Sequence, residues 1–299
     1  MLWDMAFQSS SNTVAVQRPS VLMLANGDHP EIRERAARLR PILEKHVDVV
    51  ALVDNLAAEL PAEQVDFAVV FGGDGSMLRA AHCMGYQQIP VLGVNLGHLG
   101  FLADIQPEQL DQVLPCLVAG DYRVVRHLMF ECDVQRGGTE MLSVLGLNEV
   151  AVLAGAPFAI MDVQLYVDAE LVTTYSCDGL IVSTPVGSTA HSLSAGGPIL
   201  RKDLQALVIS PISPHTLTNR PVVDSADREY ELVVPAPHEG TSLVIDGKVV
   251  GSVTAEDRIR IRRATAQFQL IEVRGHGYYR TLREKLGWGG RLKGTDVSS

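Results

Sequence analysis

Phe67-Ala-Val-Val-Phe71, followed at once by Gly72-Gly73-Asp74-Gly75-Ser76, reads as an apolar strand running into a tight turn, with a helix over Ser76 to Gly85 beyond it. A short apolar run bounded by turn residues marks a buried strand. Three glycines without a Cβ let the backbone turn sharply and bring its N–H groups close to a ligand. The helix that starts there aims its N-terminal donors and the positive end of its dipole at the same point, which suits phosphate. An acid inside such a loop repels phosphate unless it has a task. Two tasks fit: holding Mg²⁺, or accepting a proton from a hydroxyl that attacks a phosphoryl group. The plainer alternative, a strand-to-helix turn that uses Gly and Asp for geometry alone, stays open. The loop lacks both the G-x-G-x-x-G spacing of a dinucleotide fingerprint and the Gly-Lys-Ser/Thr end of a P-loop.

Outward from this loop the first part of the chain alternates strand-like and helical patterns. Val21 to Ala25 is a strand candidate ended by Asn26-Gly27-Asp28, and Pro30 to His46 has apolar residues at helical spacing, with Pro41 arguing for a break or kink. Val47 to Val53 and Ile89 to Val94 are further strand candidates. Strands with helices between them point to right-handed crossovers and a parallel sheet. From about Tyr122 to Ile271 short runs rich in Val, Leu and Ile dominate, such as Glu149 to Leu153, Leu180 to Ser183 and Ser242 to Ile245. Arg258-Ile-Arg-Ile-Arg262 alternates strictly, as an antiparallel strand with one wet face should. The fold expected is therefore an α/β domain with a parallel sheet followed by a mostly β sandwich. A helical pattern returns at Tyr279 to Lys285.

The chain has 299 residues, 25 basic and 35 acidic, for a formal net charge of −10. At about 150 residues per domain this suggests two domains. With no basic excess to neutralise phosphates, a nucleic-acid coat is excluded. The four cysteines are widely spaced, with no C-x-x-C pair, as in a reducing compartment. The polar start, residues 1–20, reads as a frayed tail without the basic and apolar regions of a signal peptide. The most apolar long stretch, Met141 to Val167, is interrupted by Asn148, Glu149, Pro157 and Asp162, whereas a bilayer span needs about 20 mostly apolar residues. No membrane contact and a cytoplasmic location are the expectations.

A longer block, Asp178-Gly-Leu-Ile-Val-Ser-Thr-Pro-Val-Gly-Ser-Thr-Ala-His191-Ser-Leu-Ser-Ala-Gly-Gly-Pro198, reads as a strand, a turn and a small-residue helix start. Small side chains at Ala190, Ser194, Ala195, Gly196 and Gly197 allow a flat ligand or another backbone to approach closely. A capped helix packed on a sheet explains those residues equally, but not an acid and a histidine flanking one loop. GGDGS after a strand, LNEVAV, DGLIVSTPVGSTAHSLSAGGPI, SPISPHTLTNRPVV and the terminal YYRTLREKLGW, taken in this order, resemble the NAD kinase family from about Val21 to Trp288. The loop alone is shared more widely, with phosphofructokinases and with diacylglycerol and sphingosine kinases.

The resemblance implies an Mg²⁺-dependent transfer of the terminal phosphoryl group of ATP, or of polyphosphate, to the adenosine ribose 2′-hydroxyl of NAD. It implies Asp74 as the base or hydroxyl-orienting residue with Gly75 beside it, and Asn148 and Glu149 as hydrogen-bonding contacts to the dinucleotide. Asp178 and Thr189, Ala190, His191, Ser192, Leu193 and Ser194 would surround NAD. Asp246 would lie near the donor or a neighbouring subunit's site, with Lys248 following it; Asp246-Gly247 read alone is a two-residue hairpin turn. No residue is assigned as a direct metal ligand. The implied organisation is an α/β domain over 21–121, completed by a helix in 275–299, a β-sandwich NAD-binding domain over 122–274, and assembly as a homodimer or homotetramer. The chain departs from the family pattern at Ser76 (usually Thr), Val186 (usually Thr), His191 (usually Tyr) and Ser176 (often Arg or Lys). A lipid kinase and a non-catalytic NAD sensor are the alternative functions.

Overall fold

In the computed structural model, residues 18–56, 60, 64–97, 99–155, 160–216, 219–275 and 277–287 are described; most of the N-terminal segment read as a tail lies outside them. The first part of the chain is β1 (Ser20–Ala25), α1 (Pro30–Glu44), β2 (Asp48–Val53), β3 (Phe67–Gly72), α2 (Asp74–Met84), β4 (Val91–Asn95) and α3 (Leu110–Val118). The strands lie in the order β2-β1-β3-β4, all parallel. Every residue of β3 and β4 is buried, as a parallel strand covered on both faces requires. Two corrections to the sequence reading appear here. Pro41 sits inside α1 without ending it, because losing one N–H in a helix packed through Ala36 and Leu43 is tolerable. The helix after the glycine loop begins at Asp74, two residues earlier than the pattern suggested, with Gly73 as its N-cap.

The second part is mostly β: β5 (Tyr122–Arg136), β6 (Thr139–Gly146), β7 (Glu149–Leu153), β8 (Met161–Val167), β9 (Glu170–Cys177), β10 (Gly179–Ser183), β11 (Ala206–Ile212), β12 (Val222–Ser225), β13 (Tyr230–Val233), β14 (Ser242–Ile245), β15 (Lys248–Ser252) and β16 (Asp257–Val273). A one-turn helix, α4 (His191–Ser194), follows β10, and α5 (Tyr278–Leu286) closes the described chain. A six-stranded sheet runs β12-β11-β10-β7-β14-β15, and the remaining strands extend the first sheet to ten. The two sheets face each other across one apolar core. Leu128, Phe130, Val163, Leu165, Leu232 and Ile261 project from one side, and Val150, Val152, Leu180, Val182, Ile209 and Ile245 from the other. This is the expected sandwich.

The short run read at Arg258 to Arg262 belongs to a much longer element, β16. β5 and β16 pair antiparallel from Arg136/Asp257 to Tyr122/Val273, and β16 also pairs parallel with β4 at Leu270/Val91. One sheet therefore passes through both parts of the molecule. No described helix is long and apolar enough to cross a membrane, and all four cysteines are free thiols.

Candidate active site

The order β2-β1-β3-β4 reverses direction between β1 and β3. In open α/β sheets, ligands bind at such a switch, beyond the carboxyl ends of the strands. The glycine loop leaves β3 at that point. Gly72 has φ +139°, and a Cβ there would lie 2.1 Å from the Ser76 hydroxyl oxygen, so the turn admits only glycine. Asp74, at the first position of α2, bends its carboxylate onto the loop after β4. Its Oδ2 accepts the Phe101 N–H at 2.8 Å, and its Oδ1 accepts those of Leu102 at 2.8 Å and Ala103 at 3.3 Å. Gly100 makes room for it, since a Cβ there would come within 2.2 Å of Oδ1. The acid keeps a wet side: its side chain is 32 % exposed, with the Lys285 ammonium of α5 at 3.7 Å from Oδ2.

A second acid is built the same way in the other part of the molecule. Asp246, at the turn between β14 and β15, accepts the N–H groups of Leu147 at 2.8 Å, Asn148 at 2.7 Å and Glu149 at 3.1 Å. A fourth contact, 2.8 Å, goes to Nε2 of His82 on α2. Its side chain is only 2 % exposed. The structure thus places Asp246 with its carboxylate turned inward on its own chain, where it fixes the Leu147-Asn148-Glu149 backbone and ties it to the helix that carries Asp74. The hairpin reading of Asp246-Gly247 also holds, with φ +46° and +76° at the two residues.

Glu149 pairs across the sheet with Ser183 at the end of β10. It is 4 % exposed, and its Oε2 has no hydrogen-bond partner. Burial, reinforced by the Asp246 charge, pushes its carboxyl up to about 8, with the His191 backbone N–H pulling the other way. The group is therefore neutral at pH 7, and its free oxygen can donate or accept a hydrogen bond. The turn after β10 is knitted to the same segment: Thr184 N–H donates to the Asn148 carbonyl at 2.9 Å and Thr184 Oγ1 to the Leu147 carbonyl at 2.6 Å. Asn148, Glu149, Thr189, Ala190 and His191 are thereby brought together. Ser192 is wholly buried, its hydroxyl 3.0 Å from that of Ser210, whereas Ser194 is exposed and Leu193 half-buried. Asp178 stands at the far end of β10, about 16 Å away along a strand of five residues. Val186 packs in one apolar cluster with Met77, Leu102 and Leu147, so a valine at this position joins the two parts of the site by burial.

Lys248 lines a polar cleft of about 180 Å³ with Asn26, Asp28, Asp54, Arg79 and His82. Arg79 is engaged by Asn26 at 3.1 Å and by Asp28, so its side chain is held rather than free. Sequence reasoning passed over His82, Lys202, Lys285 and the loop at 99–103. The signal available for the loop was the glycine at position 100; His82 and the two lysines had no local signature.

Two family models match the chain. The ATP-NAD kinase N-terminal domain matches residues 53–122 and the ATP-NAD kinase C-terminal domain residues 147–273. An NAD kinase from Rhodopirellula baltica is 50% identical over 274 residues, 92% of this chain and 88% of that one. The chain belongs to the NAD kinase family. A second NAD kinase, from Geotalea daltonii, is 42% identical over 258 residues, 86% of this chain and 90% of that one. Among solved structures, an NAD kinase from Archaeoglobus fulgidus in complex with ATP has a TM-score of 0.65 and 29% identity, covering 90% of this chain and 97% of its own. Yeast NADH kinase complexed with NADH has a TM-score of 0.82 at 21% identity, covering 93% and 90%, and shows the shared fold. As an NAD kinase family member the chain carries both of the family's domains in the family's order.

Proposed function

We propose that this protein transfers the terminal phosphoryl group of ATP to the adenosine ribose 2′-hydroxyl of NAD, giving NADP, with Asp74 as the residue that orients that hydroxyl and takes its proton. The observation that carries the reading is the Asp74 carboxylate in a chain of the NAD kinase family: anchored by three N–H groups at the switch point of the sheet, yet one-third exposed. A carboxylate is a weak base toward a sugar hydroxyl. Its contribution is orientation and late proton acceptance, in a step dominated by positioning and charge stabilisation. The neutral Glu149 and Asn148 hold the adenosine side of NAD. His191, Thr189 and Ala190 line the same pocket with Gly75, and Asp178 lies toward the far end of the extended dinucleotide.

Magnesium belongs with the phosphates of ATP. Among the described residues no group of three or more His, Cys, Asp or Glu side chains is placed to cage a cation, and Mg²⁺ commonly binds through substrate phosphates with one or two carboxylates. Bound there, it would neutralise phosphate charge. A lipid kinase would need an apolar cleft, and the cleft that Arg79 and His82 of α2 line with Asn26, Asp28 and Lys248 is polar. Family resemblance further supports a cytoplasmic homodimer or homotetramer, which light scattering of the purified protein would check. The activity is tested by incubating the protein with NAD, ATP and Mg²⁺ and reading NADP with an NADP-specific dehydrogenase, with polyphosphate in parallel. NADP should form and cease on chelation with EDTA; NAD binding without product would instead indicate a sensor.

A further inference from the structure

Phosphoryl transfer spreads negative charge over the migrating group, and enzymes place fixed cations against it. The glycine loop, residues 72–76, contains none. Arg79, one turn along α2, is held by Asn26 and Asp28. Lys202 is 6 % exposed, and its ammonium donates to the Phe101 carbonyl. The net charge of −10 makes the surroundings still less hospitable to anions. Lys285 differs from the other two. Its Nζ lies 3.7 Å from Asp74 Oδ2, an ion-pair distance too long for a hydrogen bond. It also sits 4.0 Å from the centre of the Phe101 ring, a cation–π contact that steadies an ammonium without using its N–H groups. Among the described residues, no oxygen accepts a hydrogen bond from it. An ammonium with unspent donors thus stands beside the acid, 28 % exposed.

We infer that Lys285, delivered by α5, is a further catalytic residue that binds the migrating phosphoryl group; this rests on the Asp74 reading above. The ribose 2′-oxygen forms a bond to the γ-phosphorus as the bond from that phosphorus to the β-γ bridging oxygen breaks, and the electron pair leaves with ADP. The 2′-hydroxyl proton passes to Asp74 Oδ2, the oxygen with a single backbone donor. Lys285 transfers no proton. It donates hydrogen bonds to a γ-phosphoryl oxygen and offsets the charge there while Asp74 remains anionic. Two oxygens of different partners thus share one ammonium, which explains why it is held near the acid rather than bonded to it.

The test is steady-state kinetics of the full chain carrying Lys285→Met, Lys285→Gln or Lys285→Arg, with NAD affinity and melting temperature measured on each. Removing a preorganised donor of this kind costs about 10²-fold to 10³-fold in kcat. K285M and K285Q should lose about that much, with the NAD dissociation constant and melting temperature essentially unchanged, and K285R should recover part of the loss. Inhibition by ADP with aluminium fluoride in the presence of NAD, a mimic of the planar phosphoryl group, should weaken in K285M by a similar factor. A kcat within threefold of wild type in both neutral variants, or unweakened aluminium fluoride inhibition, overturns the assignment. Absence of NADP formation by the wild-type protein would instead sink the underlying reading of the function.

Discussion

Asp74 and Asp246 belong to the α/β and the mostly β part of the chain respectively and are built to one plan. Each takes three consecutive backbone N–H groups, from 101–103 and 147–149 respectively, and each has a basic side chain as a further neighbour, Lys285 or His82. They differ in burial: 32 % exposed for Asp74 and 2 % for Asp246. The same set of donors therefore serves two ends. At Asp74, one-third exposed, the N–H groups hold the carboxylate that we propose meets the substrate. At Asp246, shut away from water, the acid organises the backbone at Asn148 and Glu149, the residues proposed to hold NAD.

This contrast breaks if the two acids respond alike to substitution. The largest effect is expected for Asp74→Asn or Asp74→Ala. Loss of a positioned general base or orienting acid costs about 10²-fold to 10⁴-fold in rate, so turnover should collapse while calorimetry still detects NAD binding. Near-normal turnover in either variant would remove Asp74 from its role. Asp246→Asn should act through binding and folding instead. Replacing a buried carboxylate by an amide leaves at least one of its four donors unpaired, at a cost on the order of 3 kcal/mol. The expected outcome is a lower melting temperature and a raised KM for NAD, with kcat at saturation reduced far less than in D74N. A selective loss of kcat in D246N would erase the distinction between the two sites.

The smallest effect sharpens the comparison through pH. Glu149 keeps its proton to about pH 8 because burial and the Asp246 charge oppose ionisation, whereas an unfolded glutamate ionises near pH 4.3. Between those values the folded chain binds more protons than the unfolded one, so stability falls as pH rises through this window and levels off above it. Glu149→Gln removes that penalty. Its melting temperature relative to wild type should rise from pH 5 to pH 8, by up to about 1.4 kcal/mol of stability per pH unit. Affinity of the wild-type protein for NAD should weaken above pH 8, where a carboxylate replaces a neutral donor, and the Gln variant should show a flatter profile. Parallel curves for the two proteins would return Glu149 to an ordinary carboxylate.

Much of this is legible in the sequence, because it depends on local chemistry. The turn at Gly72-Gly73-Asp74, the strand that feeds it and the helix that leaves it are set by neighbours in sequence. So are the Asp246-Gly247 hairpin and the alternation of Arg258 to Arg262. The parts that stayed hidden are those made by distant contacts. Asp246 meets amides 97 to 99 positions away and His82 164 positions away, and no local pattern distinguishes an inward-facing turn aspartate from a solvated one. Lys285 reads as one more charge on an amphipathic helix until α5 is seen beside Asp74. Val186, a departure from the family's threonine, acquires a reason only once its neighbours Met77 and Leu102 are known. Pro41 shows the reverse: a strong local signal for a break, overruled by the packing of the helix around it.

The junction between β4 and β16, paired at Leu270 and Val91, bears on how the molecule fails as well as how it works. Severing the chain after residue 121 would not release a self-contained piece. It would uncover the β16 side of a strand whose five residues are all buried and which would keep only β3 as partner, leaving a hydrophobic edge of the kind that recruits other chains into aggregates. Its two architectures are grafted along a continuous grain, so heat should take both apart in a single cooperative step.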